Sequence, residues 1–339
     1  MKKLTSLILV LAMALALAAC GGNSGGNSGG SGNTANSGNS SNSGSAGTSG
    51  GDTSALTIAY VPTTMNNPFW TAMMGGIREE MTAQGLDPDS QLVTVDAESD
   101  QATMNNYIYD LINQNVDVVI MAPMDCTACT EALQACADAN IPVINVDTAV
   151  DRTDLVASVI ASDNYAAGVA CAEDMMSKLA EGSKIYVMNQ PSGSACVQRE
   201  QGFLDTVGGY FNIIGTSDTV GDTATTLPVA EDAITSDAEL AGFFCINDMA
   251  ALGCVQACAA ANRDDILIYG VDGNPDFMGY VGDGSATASA AQQPSVIGAT
   301  AVKTALDYLA GTDVESEVVI PVELITTDNI SQFDVSDWQ

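Results

Sequence analysis

LTIAYVPTTMNNPFWTAMMGGIREEMTAQ, residues 56–84, decides the fold. Its first six residues are apolar or β-branched with little alternation, the pattern of a strand covered on both faces. A polar loop follows. Pro68 then opens an amphipathic stretch that runs to residue 84, proline being tolerated in the first turn of a helix. The unit recurs downstream as strand 91–95, helix 101–113, strand 116–121, helix 127–139 and strand 142–146. After a short strand at 156–160 a second set runs helix 165–180, strand 184–188, helix 195–206, strand 211–214, helix 223–235, strand 242–246, helix 249–260 and strand 266–271. Strict alternation of strand and helix predicts an α/β fold with parallel, doubly wound sheets. Two such sets predict two lobes of ordinary domain size.

Composition removes several function classes. The chain has 339 residues, 42 acidic and 9 basic side chains and no histidine, for a formal charge of −33. Nucleic-acid binding needs clustered Lys and Arg to displace counterions, and the few basic residues are scattered. Without imidazole, Ser-His-Asp and Cys-His mechanisms and His-ligated zinc are excluded. With 46% hydrophobic and 15% charged residues the chain is too apolar for disorder. The acidic surplus reads as a solubilising surface. No phosphate-loop motif occurs, and neither a cofactor nor a metal is expected.

The N-terminus follows a different logic. Lys2 and Lys3 precede an apolar run from Leu4 to Leu17, and Leu17-Ala18-Ala19-Cys20 is a small-residue cleavage site ending in cysteine. The run is too short for a bilayer core, which needs about 20 helical residues. The segment resembles a bacterial lipoprotein signal. That resemblance implies removal of residues 1–19, lipid on Cys20 and a location on the outer face of the cell membrane. Between Gly21 and Gly51, 27 of 31 residues are Gly, Asn or Ser. Residues 20–54 therefore read as the lipidated cysteine and a flexible tether, reaching roughly 30 Å.

Doubly wound sheets bind ligands beyond the carboxyl ends of their strands, so the residues that follow each strand are the candidates. They are Thr63-Thr64-Met65-Asn66-Asn67-Pro68-Phe69-Trp70, Asp147, Asn247-Asp248, Asp272-Gly273 and Ala291-Gln292-Gln293-Pro294. Asn-Asn-Pro-Phe at 66–69, Ile-Ala-Ser-Asp-Asn at 160–164, the Asn-Asp-x-x-Ala-Leu-Gly string at 247–253 and Asp-Gly-x-Pro-Asp at 272–276 occur in the order and spacing of one family. The chain resembles a ribose/galactose-type substrate-binding protein of an ABC sugar importer. The likeness runs from Leu56 to about Ile325.

The resemblance implies two lobes joined by three crossovers, near 160–163, 292–294 and 321–324, that close on a sugar or polyol. Lobe 1 is then 55–161 plus 294–321, and lobe 2 is 162–293 plus 322–339. Asp147, Asn247, Asp272 and Gln292 match the family's polar ligand contacts, and Asn67, Phe69 and Trp70 its amide and stacking residues. Carboxylates and amides suit sugar hydroxyls, and aromatic rings suit flat C–H faces. A monomer that delivers its ligand to ABC permease subunits is implied, with no turnover. Each candidate also has a plainer reading. Asp272 can start a turn, one of Asn247 and Asp248 can cap a helix, with Asp248 nearer that role, and one of Phe69 and Trp70 can be core.

Departures from the family pattern bear on the ligand. Ribose-type members carry arginine where this chain has Thr148, and another where the matching residue is Val197. Arg199, two positions on, would point about 200° away on a helix. An asparagine expected before Pro123 is Ala122, and an aromatic expected in the second lobe falls near Gly221. Ribose is disfavoured on these grounds. The same trap serves an importer or a membrane receptor, and Asp147 with Asp272 could mimic a glycosidase pair, although no signature supports it. A repressor is excluded because no helix-turn-helix precedes Leu56. Cys126-x-x-Cys129 invites a redox or metal reading, but Cys126 and Cys129 are expected to open a helix. With Cys136, Cys171, Cys196, Cys254 and Cys258 they read as small, unpaired, buried hydrophobes.

Overall fold

The computed structural model describes residues 56–338. The signal, Cys20 and the whole tether lie outside them. The first half of the chain alternates as expected: β1 (Ile58–Val61), α1 (Pro68–Ala83), a single turn α2 (Pro88–Gln91), β2 (Leu92–Thr94), α3 (Gln101–Asn113), β3 (Val118–Met121), α4 (Thr130–Asp138), β4 (Val143–Val146) and β5 (Ser158–Ser162). The second half runs α5 (Asn164–Lys178), β6 (Lys184–Asn189), α6 (Ser194–Val207), β7 (Asn212–Asp218), α7 (Thr223–Ser236), β8 (Leu240–Cys245), α8 (Asp248–Ala261), β9 (Leu267–Asp272), α9 (Pro275–Asp283) and β10 (Ala288–Ala291). It closes with α10 (Pro294–Leu309), β11 (Glu317–Ile320) and β12 (Glu323–Thr326).

Two six-stranded sheets result, ordered β11-β5-β4-β3-β1-β2 and β12-β10-β9-β8-β6-β7. All neighbours are parallel except β12, which runs antiparallel to β10. Strands β1, β3 and β4 are buried at every position, as continuous apolar runs with helices on both faces should be. In the first sheet Ile58, Tyr60, Ile120 and Ile144 face α1 and α10, and Ala59, Val61, Val119 and Met121 face α3 and α4. In the second, Ile185, Val187 and Phe244 face α5 and α6, and Phe243 and Cys245 face α7 and α8. Phe203 of α6 stacks on Phe244 with ring centroids 4.1 Å apart.

One helix pair in each lobe packs backbone to backbone through glycines. A Cβ placed on Gly76 of α1 would lie 2.0 Å from Ser295 O, and one on Gly298 of α10 would lie 2.2 Å from Met73 O. Gly168 of α5 meets Arg199 O at 2.0 Å and Gly202 of α6 meets Tyr165 O at 2.1 Å by the same test. Any side chain at these four positions would force the helices apart.

The chain passes between the sheets after β5, after β10 and between β11 and β12. These passages are tied together: Asp163 N donates to Ile320 O at 2.9 Å, and Gln293 Nε2 donates to Pro321 O at 3.0 Å. The chain segment after β12 departs from the expected division. Residues 322–339 are expected in lobe 2, but Trp338 packs on Phe69 against the first-lobe core. The helix expected over 127–139 begins at Thr130. The Asp125 carboxylate accepts from Thr127 N and Ala128 N, both at 2.9 Å, and this Asx turn holds Cys126 and Cys129 ahead of the helix.

Candidate functional site

The carboxyl ends of both sheets face a common cavity of about 280 Å³. Asn67, Phe69, Trp70, Asp147 and Thr148 line it from the first lobe, and Arg199, Asn247, Asp272 and Gln292 from the second. All seven expected ligand contacts therefore face one space. Gln190 and Asp222, absent from the candidates, line it as well, as does Cys196, which is expected only as a buried hydrophobe.

On the first-lobe side, Asn67 caps α1, its Oδ1 accepting from Phe69 N at 3.0 Å. Phe69 and Trp70 meet edge to face at 5.0 Å and 88°. Tyr60 OH donates to Trp70 O at 3.1 Å, so the start of the helix rests on the sheet. Asp147 follows β4 in a left-handed conformation, φ 60°. The turn is held by Asn145, whose side chain donates to Met121 O and Thr148 O and accepts from Val150 N. Thr148 Oγ1 donates to Asp147 Oδ2 at 2.8 Å. Burial pushes the Asp147 carboxyl up, with the Arg199 charge and the Thr148 hydroxyl opposing it.

The second lobe supplies a bonded array. Arg199, 3% exposed, donates from Nε to Asn164 Oδ1 at 2.8 Å and from Nη1 to Ile246 O at 2.8 Å and Asp272 Oδ1 at 3.3 Å. Gln292 Nε2 donates to the same Asp272 oxygen at 2.7 Å, while Gln292 Oε1 is buried with no protein partner. Burial raises Asp272 to about 6, with Arg199 and Gln292 opposing. Behind them Asp248 is fully buried. Ser289 Oγ lies 2.8 and 2.9 Å from its two oxygens, and Asn274 N donates to it at 2.7 Å. Burial and the neighbouring Asp272 charge push Asp248 well up.

The cavity between two parallel-sheet lobes is lined by carboxylates, amides and paired aromatics. The periplasmic binding protein domain model matches residues 58–313. The ribose import binding protein of Escherichia coli is 31% identical over 79% of this chain and 90% of its own length. That of Bacillus subtilis is 30% identical over 81% of this chain and 89% of its own. A solved ABC transporter solute binding protein of Agrobacterium vitis with bound D-fucose superposes with a TM-score of 0.78 at 27% identity, over 83% of this chain and 99% of its own.

The chain belongs to the periplasmic binding protein domain family. Its architecture and the resemblance read from its motifs are both borne out. Two details of the site are corrected. Arg199 is expected to point away from the site, yet Val197 is 43% exposed and it is Arg199 that enters the cavity wall. The two positions do point opposite ways, but it is Val197 that turns to solvent and Arg199 that turns inward to Asp272. One cationic side chain, Arg199, therefore lines the cavity. Thr148 and Ala122 still stand where the motif has arginine and asparagine. Asn247, not Asp248, is the cap of α8: its Oδ1 accepts from Ala250 N at 2.9 Å and its Nδ2 donates to Gly221 O at 3.0 Å. Asp248 turns inward to Ser289 instead. Cys245, not singled out by sequence, is buried with its Sγ 3.6 Å from Cys254 Sγ.

Proposed function

We propose that this protein is an exported, lipid-anchored binding protein that captures a neutral sugar or polyol between its lobes and hands it to an ABC permease. The observation that carries this reading is the meeting of Asp147 from one lobe with Asp272 and Arg199 from the other across one cavity. Hydroxyls donate to carboxylates and accept from amides, so a polyhydroxylated ligand bridges the lobes and favours their closure. The relatives' names concern ribose import, and D-fucose occupies the Agrobacterium structure. Charge narrows the ligand further. Arg199 is the cation of the cavity, and its Nε and Nη1 are engaged by Asn164, Ile246 and Asp272. Two buried carboxylates then repel sugar phosphates and sugar acids. Capture without turnover, a monomer, and anchoring through Cys20 complete the reading.

Thermal unfolding of the full chain against D-ribose, D-fucose, D-allose, L-arabinose, xylitol, myo-inositol, ribose 5-phosphate and glucuronate tests it. A neutral member at 100 times its dissociation constant stabilises by about 2.7 kcal/mol. The two anions give no shift. Stabilisation by the anions alone would overturn the ligand class. Cys20→Ser tests the anchor: the variant should be released or left unprocessed, and a processed, membrane-bound variant would refute lipidation.

A further inference from the structure

The segment after β12 takes part in neither sheet, yet it touches both lobes. Asn329 fixes its start, accepting from Thr326 N at 2.7 Å and donating to Leu324 O at 2.9 Å. Ile330, Phe333 and Val335 then pack against the second-lobe cluster built on α7, α8 and α9. A turn closed by Ser336 Oγ on Asp334 Oδ1 at 2.6 Å redirects the chain. Trp338 lands on the first lobe, with its ring edge-on to Phe69 at 5.6 Å and 75°. It stands beside Met65, Asn66 and Pro68 at the entry to α1 and Ser295 at the entry to α10.

We propose that residues 327–338 form a fourth tie between the lobes, and that Trp338 is a positioning residue for the cavity-facing ring of Phe69. The proposal rests on the reading of the cavity as a sugar site. Phe69 is clamped between Trp70, which also lines the cavity, and Trp338, which backs it from outside. Trp338 is only three positions on from the Val335 foothold, and three residue steps span at most about 10 Å. Any opening that draws the footholds further apart must lift Trp338 off Phe69, since one half-buried ring is held less firmly than three apolar side chains. Opening therefore loosens the ring that stacks on the ligand, and closing restores it. The closed cleft and the ordered ring are one state.

The test uses the full chain and a double-mutant cycle between Phe69 and Trp338, with calorimetric titration of D-ribose, D-allose and myo-inositol. Trp338→Ala should weaken binding about tenfold in the unaltered chain and less than about twofold in a Phe69→Ala background, because an edge-to-face pair acts only while both rings are present. Trp338→Phe should restore most of the affinity. Equal losses in both backgrounds, or no loss, would overturn the positioning role. Solution scattering without sugar judges the tie itself. Trp338→Ala should raise the radius of gyration and Trp338→Phe should not, and an unchanged radius in the alanine variant would refute the tie. If none of the three sugars binds the unaltered chain, the ligand reading fails by itself and scattering still decides the tie.

Discussion

The two lobes share a frame and differ in how they hold their half of the site. Each sets one helix pair backbone to backbone at glycines, α1 with α10 and α5 with α6. On the second lobe, that contact carries Arg199 onto Asn164 and Asp272, and the wall of the cavity is a network of buried, mutually bonded charges. On the first, Asp147 has one side-chain partner, Thr148, and the rest of the wall is two rings at a helix start. Buried networks are rigid when satisfied and costly when broken, whereas edge-to-face rings are held by weaker forces. The second lobe is thus a preorganised array, and the first is the half that adjusts.

The sharpest way to break this contrast is Arg199→Met. It leaves Asp272 buried without its cation and strips donors from Asn164 and Ile246, so urea denaturation should show a loss of about 3–5 kcal/mol. Phe69→Leu on the other lobe should cost about 1.5 kcal/mol or less. Equal losses would mean that the lobes are held alike. Next, Asp147→Ala should weaken a bound sugar about 100-fold with little change in stability, because charge-assisted hydrogen bonds contribute ~1.5–3 kcal/mol each. Asp272→Ala should weaken binding as much and also destabilise the fold, since Arg199 would be left unpaired. Retained affinity in both variants, for a sugar shown to bind stoichiometrically, would remove these residues from the site.

A smaller effect tests the electrostatics. Asp272 has its carboxyl raised from 3.8 to about 6, so between those values the native state keeps a proton that the unfolded chain has released. Relative to Asp272→Asn, the unaltered chain should lose stability as pH rises through this window and change no further above it. Sugar affinity should fall on the acid side, where the acceptor is protonated. A flat difference curve would contradict the raised value. The smallest effect expected is at the thiols. Under denaturing, non-reducing conditions all eight cysteines of the described residues should alkylate, and protection reversed by reductant would point first to Cys245 and Cys254, 3.6 Å apart.

Strands and helices were legible because strands buried on both faces leave continuous apolar runs and helices leave a 3.6-residue stripe. Asp147 and Asp272 stood out as polar residues directly following such runs. Arg199 did not. Gln198-Arg199-Glu200-Gln201 reads as a solvated helix face, and only the approach of α5 at Gly168 and Gly202 buries it. Those glycines, unusual in helix interiors, were the available signal. Asn247 and Asp248 are adjacent polar residues at one helix start, and the division of roles between them follows from Ser289, 41 residues away in the chain. Trp338 was invisible for a similar reason, since its partner lies at the far end of the sequence.

The late arrival of α10 and β11 has a bearing on how the protein is made. Strands β1 to β5 leave the ribosome early, but the helix that covers α1 begins at Pro294 and the strand that pairs with β5 begins at Glu317. Until then Ile58, Ile120 and Ile144 have only half of their cover, and β5 offers an open edge. The lobe begun first thus waits for almost the whole chain before its sheet is complete. A nascent chain interrupted before Pro294 would present a sticky half-sandwich to holding chaperones, and export in the unfolded state would spare the cell that exposure.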